Sequence, residues 1–513
     1  MTKNTNRKAL ISVSDKTGIF DLATALYKMD FEIISTGGTA KLLRENGIPV
    51  TLVSDLTGFP EIMDGRVKTL HPLIHGGILA DRDEKAHMKK AEELNIPMID
   101  IVVVNLYPFK QTLLKEDVTL PEIIENIDIG GPSLIRAAAK NFKYVSILTD
   151  PNDFFAFIDQ YYLNGEPTFE FRKYLAGKAF AHTADYDTAI ATYFKQDEIL
   201  PELIQVSLPK HDKLRYGENP HQQGAYYLDP AHACIKVLHG KTPSYNNYLD
   251  MDAALKLITN FKNPTTAILK HTNPCGIGSD KSLLQSYIKA FETDTSSPYG
   301  GIVVVNRSLD METAEKINEI FTEIILAPDF PKPVLEKLMK KKDRRLVQYD
   351  MRKVMQLKEQ RALQSCLGGL LVQQIDLGRD NNTEWKVVTK RHPLENETSA
   401  MIYGWKVVSM LKSNAIAFTT NERTFGMGTG QMSRIDSLEI AAKKAKEYGH
   451  NLKKSICASD GFFPFRDSIE ALHKLGVKAV IQPGGSKSDE EVIKACDEFG
   501  ITMIFTGMRH FRH

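Results

Sequence analysis

The chain has 513 residues, 42% of them hydrophobic and 25% charged, which is ordinary for a globular protein and long enough for about three domains. Lysine and arginine number 65 against 64 aspartate and glutamate, a net charge of +1. That balance gives no electrostatic argument for nucleic acid or a membrane surface, so any anionic ligand must be held by local clusters.

From the amino end, Met1 to Lys8 is polar and runs into a short apolar stretch without the pattern of a signal peptide. Ala9 to Val13 reads as a strand that breaks into Ser14-Asp15-Lys16-Thr17-Gly18, with a helix pattern to Met29. Phe31 to Ile34 is the next strand. It breaks into Ser35-Thr36-Gly37-Gly38-Thr39 and a helix that Gly47 and Pro49 end. Ile99 to Val104 is apolar throughout, as a strand covered on both faces should be, and breaks into Asn105-Leu106-Tyr107-Pro108. Strand–helix alternation of this kind predicts a parallel sheet with helices on both faces. Ligands bind at the carboxyl ends of parallel strands, so Asp15-Lys16, Thr36 to Thr39 and Asn105 to Tyr107 are expected to converge.

Two further segments suit an anion. Gly65-Arg66-Val67-Lys68-Thr69-Leu70-His71-Pro72 offers two cations and a hydroxyl in one loop. Ile129-Gly130-Gly131-Pro132 opens a helix on which Arg136 and Lys140 share a face, a candidate second anion site. A helix pattern from Arg172 to Lys195 follows. The Pro-containing, aperiodic stretch Leu200 to Lys210 marks the main domain boundary, dividing residues 1–200 from 201–513.

Beyond it, Leu214-Arg215-Tyr216-Gly217 is a turn-rich segment carrying a cation and a phenol. The apolar run Ala267-Ile268-Leu269 then ends in Lys270-His271-Thr272-Asn273-Pro274-Cys275-Gly276, where Pro274 to Gly276 is expected to stop the strand. Lys270 and His271 then sit where a buried strand reaches solvent. The adjacent ammonium disfavours a second positive charge, so His271 is expected as neutral imidazole, the form that accepts a proton. A helix from Ser282 to Phe291, a strand from Ile302 to Val305 after Tyr299-Gly300-Gly301, a helix from Met311 and an apolar run after Glu323 complete one lobe, about 212–385. The basic run Lys340 to Arg345 reads as a solvated face.

Past Asn381 and Asn382 the layout recurs over about 386–513: a helix near Ala400 to Leu411, a strand Ala415 to Phe418, a glycine turn Gly426 to Gly430, then further strand–helix units. Asn414, Gln431, Arg434, Asp460, Arg466, Asp467 and Arg509 cluster at strand exits. Phe462-Phe463-Pro464-Phe465 places three aromatics in a turn, where they can stack a flat heterocycle or fill the core. The five cysteines, Cys234, Cys275, Cys366, Cys457 and Cys496, are scattered, with no C-x-x-C pair. They indicate reduced thiols in a cytoplasm rather than a zinc ribbon or disulfide framework. No stretch is long enough to span a bilayer.

Taken in order, Ser12 to Gly18, Gly65 to His71, Asn105 to Phe109, Asp128 to Gly131, Arg215 to Gly217, Lys270-His271, Phe462 to Asp467 and Arg509 resemble a purine-biosynthesis family. Its members are both AICAR transformylase and IMP cyclohydrolase. The match covers essentially the whole chain. The resemblance implies an α/β protein: a methylglyoxal-synthase-like amino-terminal domain with a parallel sheet, then two cytidine-deaminase-like lobes. It implies formyl transfer from the cosubstrate 10-formyltetrahydrofolate to AICAR, then closure of formyl-AICAR to IMP, in a cytoplasmic homodimer with no metal required. In the cyclohydrolase it implies Lys140 as proton donor and Lys68 and Tyr107 near the reacting centre. Ser14, Asp15, Lys16, Thr36, Gly37, Gly38, Thr39, Arg66, Val67, Thr69, Asn105, Asp128 and Ile129 would line the nucleotide site. In the transformylase it implies His271 as base, helped by Lys270. Arg215, Tyr216, Gly300, Glu323, Asn414, Arg434, Phe462 and Arg509 would hold AICAR, with Ile435, Asp467, Ser486 and Lys487 facing the folate. The competing readings are a nucleotide-binding regulator with a dead site and a zinc deaminase. The second lacks its signature, since no H-x-E with P-C-x-x-C is present despite Pro274-Cys275.

Overall fold

The computed structural model describes residues 7–195, 198–357, 361–378 and 382–513. Six residues of the polar amino-terminal stretch, and Asn381 at the expected lobe junction, lie outside them. The chain divides into two compact units, Met1–Ser207 and Leu208–His513.

The first unit is built on five parallel strands: β1 (Arg7–Ser12), β2 (Phe31–Ser35), β3 (Thr51–Leu52), β4 (Ile101–Val104) and β5 (Ser146–Leu148), in the order β3-β2-β1-β4-β5. Leu10, Ile11, Ile34 and the whole of β4 are buried, as the continuous apolar runs require of strands covered on both faces. The order reverses beside β1. The loops after β1, β2 and β4 therefore open on one edge, around a topological switch point.

The second unit repeats one topology twice. After a small hairpin of β6 (Lys210–Lys213) and β7 (Ala225–Tyr227) comes a six-stranded sheet. It comprises β8 (Ile235–His239), β9 (Thr265–Lys270), β10 (Asn273–Ser279), β11 (Ile302–Val305), β12 (Ile324–Ala327) and β13 (Arg345–Tyr349), ordered β10-β9-β11-β12-β13-β8. A two-stranded ribbon, β14 (Arg361–Cys366) and β15 (Gly369–Gln374), leads to the second sheet. There β16 (Lys386–Val387), β17 (Ile416–Thr419), β18 (Thr424–Gly428), β19 (Ile456–Ser459), β20 (Ala479–Gln482) and β21 (Thr502–Phe505) are ordered β18-β17-β19-β20-β21-β16. Each sheet has three parallel strands between an antiparallel hairpin and an antiparallel edge strand. The helices recur too: Tyr245–Ile258 and Glu395–Val408 precede the hairpins, and Leu283–Phe291 and Arg434–Glu447 follow them. The similarity suspected from pattern alone is a repeated fold.

Two glycine segments behave differently from expectation, for one reason. Pro274 to Gly276 does not end the strand; it lies within β10, the edge strand of a hairpin, where proline is tolerated. Gly426 to Gly428 is likewise strand, not turn. In both, the glycines let a helix lie directly on the strand. A Cβ on Gly276 or Gly278 would come within 1.9 Å of the Ala290 carbonyl oxygen or 2.3 Å of that of Ser286. One on Gly426 or Gly428 would meet those of Ala441 or Ser437 at 2.2 and 1.9 Å.

The two hairpins join the lobes. Gly278 bridges Arg423 in antiparallel fashion and the Ser279 amide donates to the Glu422 carbonyl at 2.7 Å. An antiparallel seam reverses one lobe relative to the other. By strand direction, the amino ends of β11–β13 and the carboxyl ends of β19–β21 therefore face the same way. Met251 and Ile258 share one core with Met401 and Trp405 across this seam. No described helix is long and apolar enough to cross a membrane.

Candidate functional site

In the first unit the loops after β1, β2 and β4 enclose a cavity of about 530 Å³. Of the sequence-predicted residues, Ser14, Lys16, Thr36, Gly37, Gly38, Thr39, Arg66, Lys68, Thr69, Asn105, Tyr107, Asp128 and Ile129 line it. Two helices, Gly37–Glu45 and Gly130–Lys140, start at its wall. The first amides of a helix have no intrahelical acceptor and carry the positive end of its dipole, so the cavity has two places for an anion. The second start is packed tightly: a Cβ on Gly131 would lie 2.5 Å from Asp128 Oδ2, and one on Gly130 2.9 Å from Thr69 Oγ1. Glycine is needed there to bring the basic loop and Asp128 against the helix.

Hydrogen bonds fix the rim. Asn105 Oδ1 accepts the amides of Ser14 and Asp15 at 2.6 and 2.9 Å, and its Nδ2 donates to the Asp15 carbonyl at 2.9 Å. This is the place of Asp15, which fixes the loop rather than lining the cavity. Val67 similarly bridges Ile62 and turns the basic loop inward. Arg66 pairs with Glu125 across the mouth. Lys16 Nζ donates to Thr39 Oγ1 at 2.8 Å. Burial, then the neighbouring Lys68, lowers the Lys16 ammonium from its ordinary range. Burial raises the Asp128 carboxyl, against the Gly131 amide, which donates to it at 2.8 Å, and the charge of Lys68. Lys68 Nζ lies 3.5 Å from the Tyr107 phenol oxygen. An ammonium, a phenol and a half-buried carboxyl thus converge, groups able to hold and move protons.

The two basic residues expected beside the Gly130 helix start are not at the cavity. Arg136 lies over the Phe180 ring at 5.7 Å, and neither it nor Lys140 lines the cavity. Lys140 closes this 11-residue helix on the exposed surface, about 9 Å along the axis beyond Leu134, which lines the cavity.

In the second unit the predicted residues form two groups. At the amino ends of β11–β13, Lys270 Nζ donates to the Tyr299 carbonyl at 3.0 Å, and His271 is exposed at the tip of the β9–β10 hairpin. Gly300 precedes β11. Glu323 precedes β12 and accepts from Asn247 Nδ2 at 3.1 Å and from Arg345 at 3.0 Å. Arg215 and Tyr216 follow β6, with the guanidinium 5.6 Å from the Tyr216 ring centre. That hairpin rests on the helix carrying Asn247: Tyr226 stacks on Tyr248 at 4.1 Å, and Tyr248 donates to Asp212 at 2.7 Å.

At the carboxyl ends of β19–β21 the centre is Asp460, fully buried and ion-paired with Arg434. Arg434 also donates to Ser459 Oγ and Asn414 Oδ1, both at 2.8 Å, and Asn414 Nδ2 to the carbonyls of Gln431 and Met432 at 3.0 and 3.1 Å. A Cβ on Gly461 would strike the guanidinium at 2.6 Å, so the chain passes directly over it. The three aromatics divide: Phe463 fills the core, Phe462 is half-buried and Phe465 is exposed. Asp467 opens a helix, Ile435 is the second residue of the helix Arg434–Glu447, and Ser486 and Lys487 follow β20, all toward this edge. Arg509 lies beyond β21, its guanidinium 4.6 Å from the Phe511 ring centre. Arg466 instead pairs with Glu470 and Glu498.

Asn247, Asp250 and Arg345 are site neighbours that the sequence reading passes over. Asn247 looks like a helix cap, which it also is. Arg345 belongs to the basic run read as solvated. In fact Lys340 to Asp343 are exposed, whereas Arg344 and Arg345 turn inward at 2% and 9% exposure.

Two family models match the chain: an MGS-like domain over residues 18–133 and the AICARFT/IMPCHase bienzyme over 138–444. Among curated relatives, the bifunctional purine biosynthesis protein PurH of Persephonella marina is 50% identical over 518 residues, covering 99% of this chain and 100% of the relative. PurH of Chlorobaculum parvum is 51% identical, covering 99% of each.

Proposed function

The chain belongs to the AICARFT/IMPCHase bienzyme family, and on that premise we propose how its two activities are divided between its two units. It is a bifunctional enzyme of purine biosynthesis, an AICAR formyltransferase and an IMP cyclohydrolase.

Ring closure takes place in the cavity of the first unit. The phosphate of formyl-AICAR sits on the helix starts at Gly37 and Gly130, with Lys16 and Arg66 as counter-charges. The carboxamide nitrogen attacks the formyl carbon and water leaves. Lys68, beside Tyr107, stabilises charge on the formyl oxygen, and Asp128 handles the proton of the carboxamide nitrogen. An intramolecular closure gains most from orientation, which a cavity of this size supplies. Lys140 has no part in this scheme within its own chain.

Formyl transfer takes place in the second unit. The AICAR amine is conjugated with its ring and is a poor nucleophile. His271 takes its proton as the new bond to the formyl carbon forms, and Lys270 steadies the developing negative charge. Arg215, Tyr216, Gly300 and Glu323 from one lobe and Asn414, Arg434, Phe462 and Arg509 from the other hold AICAR. Ile435, Asp467, Ser486 and Lys487 face 10-formyltetrahydrofolate, the formyl donor. We place the enzyme in the cytoplasm as a homodimer. The exposed leucines of the β14–β15 ribbon, Leu363, Leu367, Leu370 and Leu371, support an association of that kind.

The observation that carries this reading is the convergence of thirteen predicted residues on one anion-binding cavity, in a chain whose His271 stands in a separate unit. The test supplies AICAR and 10-formyltetrahydrofolate together, then formyl-AICAR alone. IMP is expected from both; formation from neither overturns the reading.

A further inference from the structure

The hairpin that presents His271 makes its tight turn with residues that seldom fit one. Lys270 and Asn273 pair across a two-residue turn, and both turn residues lie in the left-handed region, His271 at φ 54° and Thr272 at φ 63°. Glycine takes that region freely, whereas a β-branched threonine there is a genuine outlier. The matching hairpin of the other lobe joins β17 to β18 through Thr420–Arg423. It has no residue of positive φ and closes with an ordinary bond from the Thr420 amide to the Arg423 carbonyl at 2.9 Å. The repeated scaffold therefore makes this connection without strain where no catalytic group is displayed.

Asp250 holds the strained turn. Its Oδ1 accepts the Thr272 amide at 2.6 Å. A second bond, from Asn273 Nδ2 to the His271 carbonyl at 3.1 Å, lies within the hairpin itself. Asp250 stands five residues into the helix Tyr245–Ile258, and the same place in the matching helix Glu395–Val408 is Ala400, whose side chain accepts nothing. Burial raises the Asp250 carboxyl, opposed by the Thr272 amide and the nearby His271. The lobe with the strained turn has the anchor; the lobe without strain lacks it.

We propose that Asp250 is a positioning residue for formyl transfer, fixing through the Thr272 amide the left-handed turn that aims His271 at the amine. The inference rests on the reading of His271 as the transfer base. Asp250 touches no reacting atom in this account; it sets the direction from which the imidazole approaches. Two properties separate such a role from general stabilisation. Asparagine keeps an oxygen in the place that accepts the Thr272 amide, whereas alanine does not. Glycine at position 272 adopts the turn without an anchor, so it should substitute for the missing carboxyl.

The experiment is steady-state kinetics of both activities on the full chain. Asp250→Ala is expected to lower kcat for formyl transfer about 10- to 100-fold, the cost of a misdirected group, with little change in KM for AICAR. Cyclisation of supplied formyl-AICAR should be unchanged. Asp250→Asn should retain most of the rate, and adding Thr272→Gly to Asp250→Ala should restore most of it. If alanine prevents folding, Asp250→Gln, which displaces the acceptor, carries the same comparison. Loss confined to KM, or a loss that Thr272→Gly does not relieve, overturns the proposal. His271→Ala in the same assay keeps two failures apart. Transfer surviving in His271→Ala sinks the reading of the base. Transfer absent there but intact in Asp250→Ala sinks only the positioning role.

Discussion

In one lobe of the second unit the polar groups gather at the amino ends of β11–β13; in the other they gather at the carboxyl ends of β19–β21. The difference is clearest at one matched position. After β11, Asn306 Oδ1 accepts the Thr265 amide at 2.8 Å; after β19, Asp460 Oδ1 accepts the Ala415 amide at 3.1 Å. Asn306 then spends its own amide on the carbonyls of Phe261 and Asn263, at 2.9 and 2.8 Å, and closes its edge with neutral groups. Asp460 is a buried carboxylate and requires a cation, which Arg434 supplies. At the opposite edge the roles reverse. The first lobe carries Asp250 and a strained, displayed His271, where the second has Ala400 and a relaxed turn. Each lobe thus has one edge closed by structural bonds and one that carries the proposed ligand residues, and the antiparallel seam faces those two edges the same way.

The comparison breaks most visibly at His271. His271→Ala should lower formyl transfer by about 10²- to 10⁴-fold, the usual worth of a general base, while formyl-AICAR is still cyclised. Equal loss of both activities in a folded variant would dissolve the division. Next in size is Asp460→Asn, which gives the second lobe the first lobe's residue without its surroundings. Arg434 is then left buried without its counter-charge, and denaturant unfolding should report a loss of about 3–5 kcal/mol. A change below 1 kcal/mol would mean that the two edges are not as different as their charges imply.

The smallest effect belongs to the seam. Lys444 of the second lobe pairs at 2.5 Å with Asp294 of the first. Burial by itself would raise the Asp294 carboxyl, but Lys444 and Ser297 outweigh it and hold it well below the usual carboxylate range. A carboxyl depressed in the folded state adds stability above its unfolded pKa and loses it as pH falls through the folded one. The advantage of the wild type over Asp294→Asn, about 1 kcal/mol for a pair with a partly exposed lysine, should be full at pH 7 and shrink on acidification below about pH 4. An advantage that grows toward acid would reverse the sign and contradict the assignment.

Much of this is legible in the sequence. Apolar runs ending in Ser14-Asp15, Thr36 to Thr39 and Asn105 located three loops, and the rule that parallel strands present their carboxyl ends together brought them to one cavity. What stayed hidden depended on packing. Gly276 and Gly426 read as turns because glycine's local meaning is a bend; their actual use, letting a helix lie on a strand, appears only when the helix is in place. Arg345 was masked by the charged neighbours with which it shares a run. Asp250 and Asn247 carry no local signal, since one looks like a helix-surface carboxylate and the other like a cap. Lys140 lies at the far end of the helix that starts at the cavity, a placement that a shared helix face does not reveal.

In the proposed scheme two separate sites act in succession on one purine precursor. Lys68→Met, supplied with AICAR and 10-formyltetrahydrofolate and followed by chromatography of the nucleotides, tests it most directly. Formyl-AICAR should accumulate at the wild-type rate of transfer while IMP formation falls sharply; a well-folded Lys68→Met protein that no longer makes formyl-AICAR would contradict it.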